Sequence, residues 1–321
     1  MAKYEAQHAN PSGPGDTRPT AVQIVQDEEL IGKLTDKVAF VTGANQGISL
    51  EIARALYVTR ATVFLRVRDL NKGQEAIAKI LSTSDHKFPN TLQAVELSLD
   101  SLESVRKATE TFLTKSKQLN LLILNTGVMA TPLSKTKDGF ETQFGIIHLG
   151  HFLLANLLIP TLIQSSTPQF ILRDSYDPWV SYIQSKTANI YFANELERRY
   201  GTKGVHRISM NPGNSTTILD QYLDQQTIED AKKNTELMSY FKSPEQGAAT
   251  AIYVAIGREW EGRGAIYLAE CSQQGPTKSQ NPLDTQDQGY ASWAFNEPDA
   301  VKLWEISSEL VGLERIHNSS D

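Results

Sequence analysis

One cysteine, Cys271, stands in a chain of 321 residues. Neither an intramolecular disulfide nor a cysteine-based zinc site can form with it alone. So few thiols fit a reducing compartment. Positive charge is also short, with a formal net charge of −6. That balance leaves no basic stripe for a nucleic-acid groove, and no nucleic acid is expected as a partner. The stretch Met1–Thr20 lacks the apolar core of a signal peptide, being polar and rich in Gly and Pro, so a cytoplasmic protein is expected. Only Phe144–Ile163 reaches the length of a membrane span. It carries His148, Gly150, His151, Asn156 and Pro160 and reads as a buried helix, so no membrane span is expected. His148 and His151 lack an evident third ligand beside them, so no metal is expected.

What is present is 40% apolar residues, enough for a substantial core in one large or two ordinary domains. The rest is organised around Val41-Thr42-Gly43-Ala44-Asn45-Gln46-Gly47-Ile48-Ser49. An apolar run, Val38 to Val41, precedes it, and a helical pattern through Leu50, Ile52, Ala53 and Leu56 follows. Strand, glycine turn and helix start in that order make a nucleotide-binding βα unit. Gly43 can take backbone angles closed to other residues, and Gly47 lets the main chain approach a pyrophosphate. The helix start offers free N–H groups and its positive dipole end to that phosphate.

The spacing T-G-x-x-x-G-I-x resembles the cofactor turn of the short-chain dehydrogenase/reductase family, with Ser49 in place of the last glycine. Leu97–Val105 is similar to the family's LDLSSLxSV run, with Ser98 where the acid against the adenine stands. Asn125-Thr126-Gly127-Val128 is similar to its NNAG segment. Phe144–Phe152 resembles the FGxNHLGHF of the retinol-dehydrogenase-like branch, with Ile147 where an asparagine relays protons. Asp177–Lys186 resembles PWxxYxQSK, and Tyr182 and Lys186 stand four apart on one helix face. Asn211–Thr217 resembles the PGxxxT element. The tail, Gly289–Ala294 and then Pro298–Val311, resembles fungal members found with biosynthesis of small secondary metabolites.

The resemblance spans about 36–315 and implies a single doubly wound (Rossmann) α/β domain with a mainly parallel sheet of about seven strands. Residues 1–35 read as an N-terminal arm, flexible to about residue 20, with a short helix Ala21–Leu30 capped by Thr20. Residues 218–241 read as a substrate lid or as a surface helix over core, and 316–321 as a tail. The implied cofactor-binding residues are Gly43, Asn45, Gln46, Gly47, Ile48, Arg68, Ser98, Asn125, Gly127, Tyr182, Lys186, Pro212, Gly213 and Thr217. The implied catalytic residues are Tyr182, Lys186 and Ser175, the last separated from the tyrosine by only six residues. Asp100 reads as a loop or helix-cap residue.

At the end of the second strand, Val67 stands where an acid would favour NAD. Arg66 and Arg68 project to one side if the strand alternates, and a fork of two arginines suits the extra phosphate of NADP. A solvated arginine before a helix is the plain alternative for either. The expected cofactor is therefore NADP rather than NAD. The expected function is an alcohol–ketone or aldehyde oxidoreductase acting on an apolar small molecule. A non-redox cyclase or isomerase, or a catalytically silent binding protein, stays open because of Ile147, Ser49, Ser98 and the short Ser175–Tyr182 connection. Where such chains assemble, the family implies a homodimer through the helices Phe144–Ile163 and Ser181–Tyr200.

Overall fold

The computed structural model describes residues 3–165, 169–173, 180–215, 222, 225–279 and 287–313, the side chains of 169–173 and 180–183 excepted. Its strands are β1 Val38–Thr42, β2 Thr62–Val67, β3 Leu92–Glu96, β4 Leu121–Leu124, β5 Gln169–Arg173, β6 His206–Asn211, β7 Ile266–Ala269 and β8 Ser272–Gln273. They form one sheet in the order β3-β2-β1-β4-β5-β6-β7-β8. All neighbours pair in parallel except β7 with β8. The chain begins in the middle, winds outward to β3, and returns to start again at β4. The crevice between β1 and β4 is thus the switch point at which open α/β sheets hold ligands.

The helices are α1 Glu5–His8, α2 Ala21–Asp27, α3 Gly47–Val58, α4 Leu70–Thr83, α5 Leu102–Lys115 and α6 Thr142–Phe144. There follow α7 Gly150–Gln164, α8 Val180–Tyr200, α9 Gln225–Lys233, α10 Thr235–Tyr240, α11 Pro244–Gly247, α12 Ala249–Ile256 and α13 Glu297–Leu310. A π-turn, Gly145–Leu149, joins α6 to α7. The resulting helix, Thr142–Gln164, is long and apolar enough to cross a membrane, yet 72% of its most apolar window is buried inside the protein.

Strand alternation sorts the core into two layers. Val41, Leu65 and Ile123 meet α2, α3 and α12 on one face. Phe40, Phe64 and Leu122 meet α5, α7 and α8 on the other. Each such aromatic or aliphatic side chain stabilises the fold by about 1.5–3 kcal/mol on burial. Strands covered on both sides must be apolar throughout, and the run Leu121–Leu124 is buried at every position.

Several expectations change. The N-terminal arm is docked: Tyr4 is 2% exposed and sits edge-on to Tyr253 at 5.1 Å. Arg18 is buried too, its guanidinium filled with carbonyl and carboxylate partners. The short helix is capped by Thr20 as expected, its side chain accepting from Gln23 N at 3.2 Å, but stops at Asp27. The third strand, which the sequence pattern Leu92–Leu99 would carry to Leu99, ends at Glu96, and Leu97–Leu99 leave the sheet and line the crevice.

Part of the face assigned to a homodimer packs on α13 of the same chain, while Ile163 of α7 stays exposed. Trp304 of α13 packs on Phe152 at 5.0 Å and Phe192 at 5.8 Å, across both α7 and α8. The tail 316–321 lies outside the described residues.

Candidate active site

The crevice at the carboxyl ends of β1, β2, β3 and β4 has a volume of about 570 Å³. Its floor is the glycine turn. Gly43 has φ +67° and its N–H bonds to the Arg66 carbonyl at 2.8 Å. A side chain there would collide, because a Cβ would lie 2.7 Å from Thr126 Oγ1. Gly47, with φ +56°, opens α3. Gln46 makes no side-chain cap at that helix start. Its first N–H groups therefore face the crevice beside Asn45, Gln46 and Ile48.

Thr42 ties this turn to the next strand. Its hydroxyl oxygen accepts from Asn125 N at 2.9 Å and Thr126 N at 3.1 Å. The same hydroxyl meets His151 Nε2 at 3.2 Å. Burial pulls His151 down to about 3 and His148 to about 4, so both rings are neutral. His151 Nδ1–H then donates to the Ile147 carbonyl at 3.0 Å, leaving Nε2 to accept the threonine proton. His148 bonds Ser307 of α13 at 2.8 Å. These histidines brace helices, and among the described residues no group of three or more His, Cys, Asp or Glu could hold a metal.

Asn125 is buried and donates through Nδ2 to Ser49 Oγ at 2.6 Å. The serine in the place of a glycine is thus met by the very asparagine that closes β4. Gly127 follows, and a Cβ on it would stand 3.8 Å from Lys186 Nζ. Lys186, 7% exposed, reaches this point from α8, one turn beyond Tyr182. The Tyr182 side chain, Ser175 and Thr217 lie outside the described residues. Ile147 is fully buried against Met129, with Val128 and Ala130 beside it, on the π-turn.

The two arginines part company. Arg66 alternates onto the α5 face, stacks 4.2 Å from the centre of the Phe40 ring, and donates to the Ala108 carbonyl. Burial pulls its guanidinium down to about 9, still cationic at neutral pH. It still lines the crevice, and its Nε and Nη1 have no hydrogen-bond partner among the described residues. Arg68, beyond the strand end, is exposed on the crevice, and Lys72 of α4 joins it. Sequence reading missed Lys72; its only signal is a place four residues after Arg68, in the first turn of a helix whose cap is Asp69.

At the same end the Ser98 hydroxyl donates to Asp100. Ser98 therefore keeps its lone pairs free to accept, and a carboxylate stands two residues after the expected place. Asp100 is a loop residue; Ser101 caps α5, accepting from Ser104 N at 3.2 Å.

On the far side, Pro212 and Gly213 follow β6. The Pro212 carbonyl accepts from buried Lys242 at 3.1 Å. Gly213 has φ +77°, and a Cβ on it would stand 2.9 Å from Lys242 Nζ. Ser215 lies against the glycine turn through Gly247, whose added Cβ would collide with Ser215 Oγ and stand 3.0 Å from Ile48 Cδ1. The Ser215 hydroxyl is buried and has no partner among the described residues. A dinucleotide suits this arrangement. Cations stand at one end, N–H groups and close-approach glycines at the centre, and an orphaned hydroxyl and an ammonium toward the other.

The sequence pattern of the short chain dehydrogenase family matches residues 37–228. The short-chain dehydrogenase/reductase prx1 of Penicillium roqueforti is 42% identical, over 97% of this chain and 95% of that protein. Retinol dehydrogenase 12 of Mus musculus is 32% identical, over 88% of each chain. Among solved structures, an uncharacterized protein of Mycobacterium paratuberculosis shares 27% identity at a TM-score of 0.66, over 92% of this chain and 98% of that one.

Proposed function

The chain belongs to the short-chain dehydrogenase/reductase family, and from that premise we propose that it is an NADP-dependent oxidoreductase interconverting an alcohol and a ketone or aldehyde. One observation carries the reading: a single crevice holds Arg68 and Lys72 at one end and runs past the glycine turn to Gly127, over which the Lys186 ammonium stands. The two cations suit the 2′-phosphate that distinguishes NADP.

Held along the glycine turn and Gly127, a nicotinamide cofactor would supply or accept the hydride. Tyr182 gives its phenol proton to the carbonyl oxygen during reduction. A free phenol titrates near ~10, and the Lys186 ammonium one helical turn away eases its ionisation. Ser175 polarises the same oxygen. The substrate is a fairly apolar small molecule of secondary metabolism, met in the cytoplasm. Supporting this, Met238 and Phe241 stand half-buried in and beside the lid helix α10. The Penicillium match also runs through 97% of this chain.

Titration with NADPH and NADH, read by nicotinamide fluorescence, tests the cofactor. Arg68→Ala should weaken NADPH about tenfold, the loss of roughly 1.4 kcal/mol, and leave NADH within about twofold. Tyr182→Phe should keep binding and lower turnover by ~10²–10⁴, the share of a positioned acid. Binding of neither cofactor would sink the redox reading.

A second reading rests on Ile147, whose fully buried apolar side chain stands where the family's relay asparagine is expected. It is a non-redox cyclase or isomerase, or a silent binding protein, on the same scaffold. Turnover of a carbonyl substrate without net change in the nicotinamide would select the first of these. Binding of a partner, unchanged by Tyr182→Phe, would select the other.

A further inference from the structure

The segment from Ser239 to Gly247 joins the lid helix α10 to α11 and touches both the loop after β6 and Ile48, which lines the crevice. Lys242 holds the Pro212 carbonyl, and its N–H bonds to the Asn214 carbonyl at 2.8 Å. Gly247 abuts Ser215 and Ile48. Whatever locates this junction therefore locates the loop after β6 against the glycine turn.

The N-terminal arm does so through two limbs. The first is Arg18, whose guanidinium collects the carbonyls that end α10. Nη1 donates to Tyr240 O at 3.0 Å, and Nη2 to Ser239 O at 3.3 Å and Phe241 O at 2.6 Å. These carbonyls belong to the unpaired end of a helix, where a cation is favoured. Asp16 fixes the guanidinium from behind at 2.9 Å. Gln246 then locks arm to junction: its Nε2 donates to the Arg18 carbonyl at 3.1 Å and to Asp16. Its Oε1 accepts from Gly15 N at 2.9 Å and from Ser243 N at 3.0 Å.

The second limb is His8, paired with Glu270, whose other oxygen binds Lys242 at 2.7 Å. Glu270 and Cys271 form the two-residue turn between β7 and β8, and both have positive φ, at 51° and 53°. Non-glycine residues occupy that region only when the surroundings over-determine them. Here Lys242 and His8 hold the carboxylate, while Thr250 Oγ1 accepts from Cys271 N at 3.2 Å.

We propose that the N-terminal arm anchors the cofactor-covering loop, with Arg18 and His8 as positioning residues that hold the 239–247 junction and, through Lys242 and Gly247, the stretch Pro212–Ser215. The proposal rests on the NADP reading above. In an open α/β sheet the dinucleotide crosses the switch point. The β2–β3 side, with Arg68 and Lys72, then takes the adenosine phosphate half. The β6 side takes the nicotinamide half. The arm acts on the second half alone.

Hydrogen exchange of the full chain without ligand, paired with binding of NADPH and of 2′,5′-ADP, tests this. Arg18→Ala should speed exchange about fivefold or more in peptides covering 211–215 and 236–247, leaving β1, α3 and α13 unchanged. It should weaken NADPH about tenfold, the drop expected when the competent arrangement falls to about a tenth of the population. The same variant should leave 2′,5′-ADP, which fills only the adenosine end, within about twofold. Arg18→Lys, which keeps the charge but not the planar fork, should fall between.

Unchanged exchange and affinity in Arg18→Ala overturn the anchor while leaving the cofactor reading intact. Equal loss of both ligands overturns it as well, since a general loosening would do that. Wild-type protein that binds neither ligand overturns the NADP reading and the proposal with it. Should Arg18→Ala fail to fold, His8→Gln carries the same readouts. Faster exchange in 211–215 with selective loss of NADPH supports the anchor, and no change in either overturns it.

Discussion

Ser49 and Asn125 are 76 residues apart in sequence and bonded at 2.6 Å in the interior. A buried hydroxyl and a buried amide satisfy one another there. Removing either alone leaves the other short of a partner, at a cost of about 1–3 kcal/mol. Asn125→Ala and Ser49→Gly should each lower the urea midpoint, whereas the double variant should cost less than their sum. A coupling of about 0.5–3 kcal/mol from the four-protein cycle is expected, and strict additivity would contradict the pairing. Arg66 gives a second lesson at this scale. Its alternation was readable, but the ring of Phe40 and the Ala108 carbonyl that hold it belong to other elements. Ser98 is similar, since only the folded loop brings Asp100 to its hydroxyl.

At the scale of the element, the helix Thr142–Gln164 is the informative one. The sequence shows its apolar length but not the π-turn at Gly145–Leu149, which shifts the side chains around Ile147 by part of a turn. Two neutral histidines sit on it, and their titration gives a prediction. Their ordinary value is 6.5, lowered by burial to about 4 for His148 and about 3 for His151. Above 6.5 both states are neutral and the fold keeps its full stability. As pH falls from there toward 4, the unfolded chain takes up protons that the native state refuses, so stability declines. The carboxylate of Glu270, held down to about 2 chiefly by Lys242 against the opposing effect of burial, loses its contribution only lower, below its ordinary 4.5. Urea midpoints measured between about pH 7 and 5 should therefore fall, and His151→Gln should flatten that slope. A slope unchanged by the substitution would assign the acid sensitivity elsewhere.

For the whole molecule, the packing of α13 bears on the assembly. Trp304 is 8% exposed, wedged among Phe152, Phe192 and Tyr200, with the Arg199 guanidinium 4.6 Å from its ring centre. A dimer through α7 and α8 would have to displace that helix. Light scattering should therefore report a monomer near the chain mass of 35.6 kDa. Trp304→Ala should cost about 3–5 kcal/mol and bare the face, so that the variant self-associates. A wild-type dimer that Trp304→Ala leaves intact would show that another surface is used.

The sequence by itself determined the βα units, the glycine turn, and the types of residue that meet at the switch point. Those follow from the two-residue period of strands, the spacing of helix faces and the backbone freedom of Gly43 and Gly47, all of which are local. The docking of the arm, the burial of Arg66 against Phe40 and Ala108, the presence of Lys72 in the crevice and the packing of α13 were not legible. Arg18 and Phe241 are 223 residues apart, and no period or motif relates them. Only the tertiary structure decided such pairs, because a buried guanidinium goes wherever the finished fold leaves carbonyls or a ring to receive it.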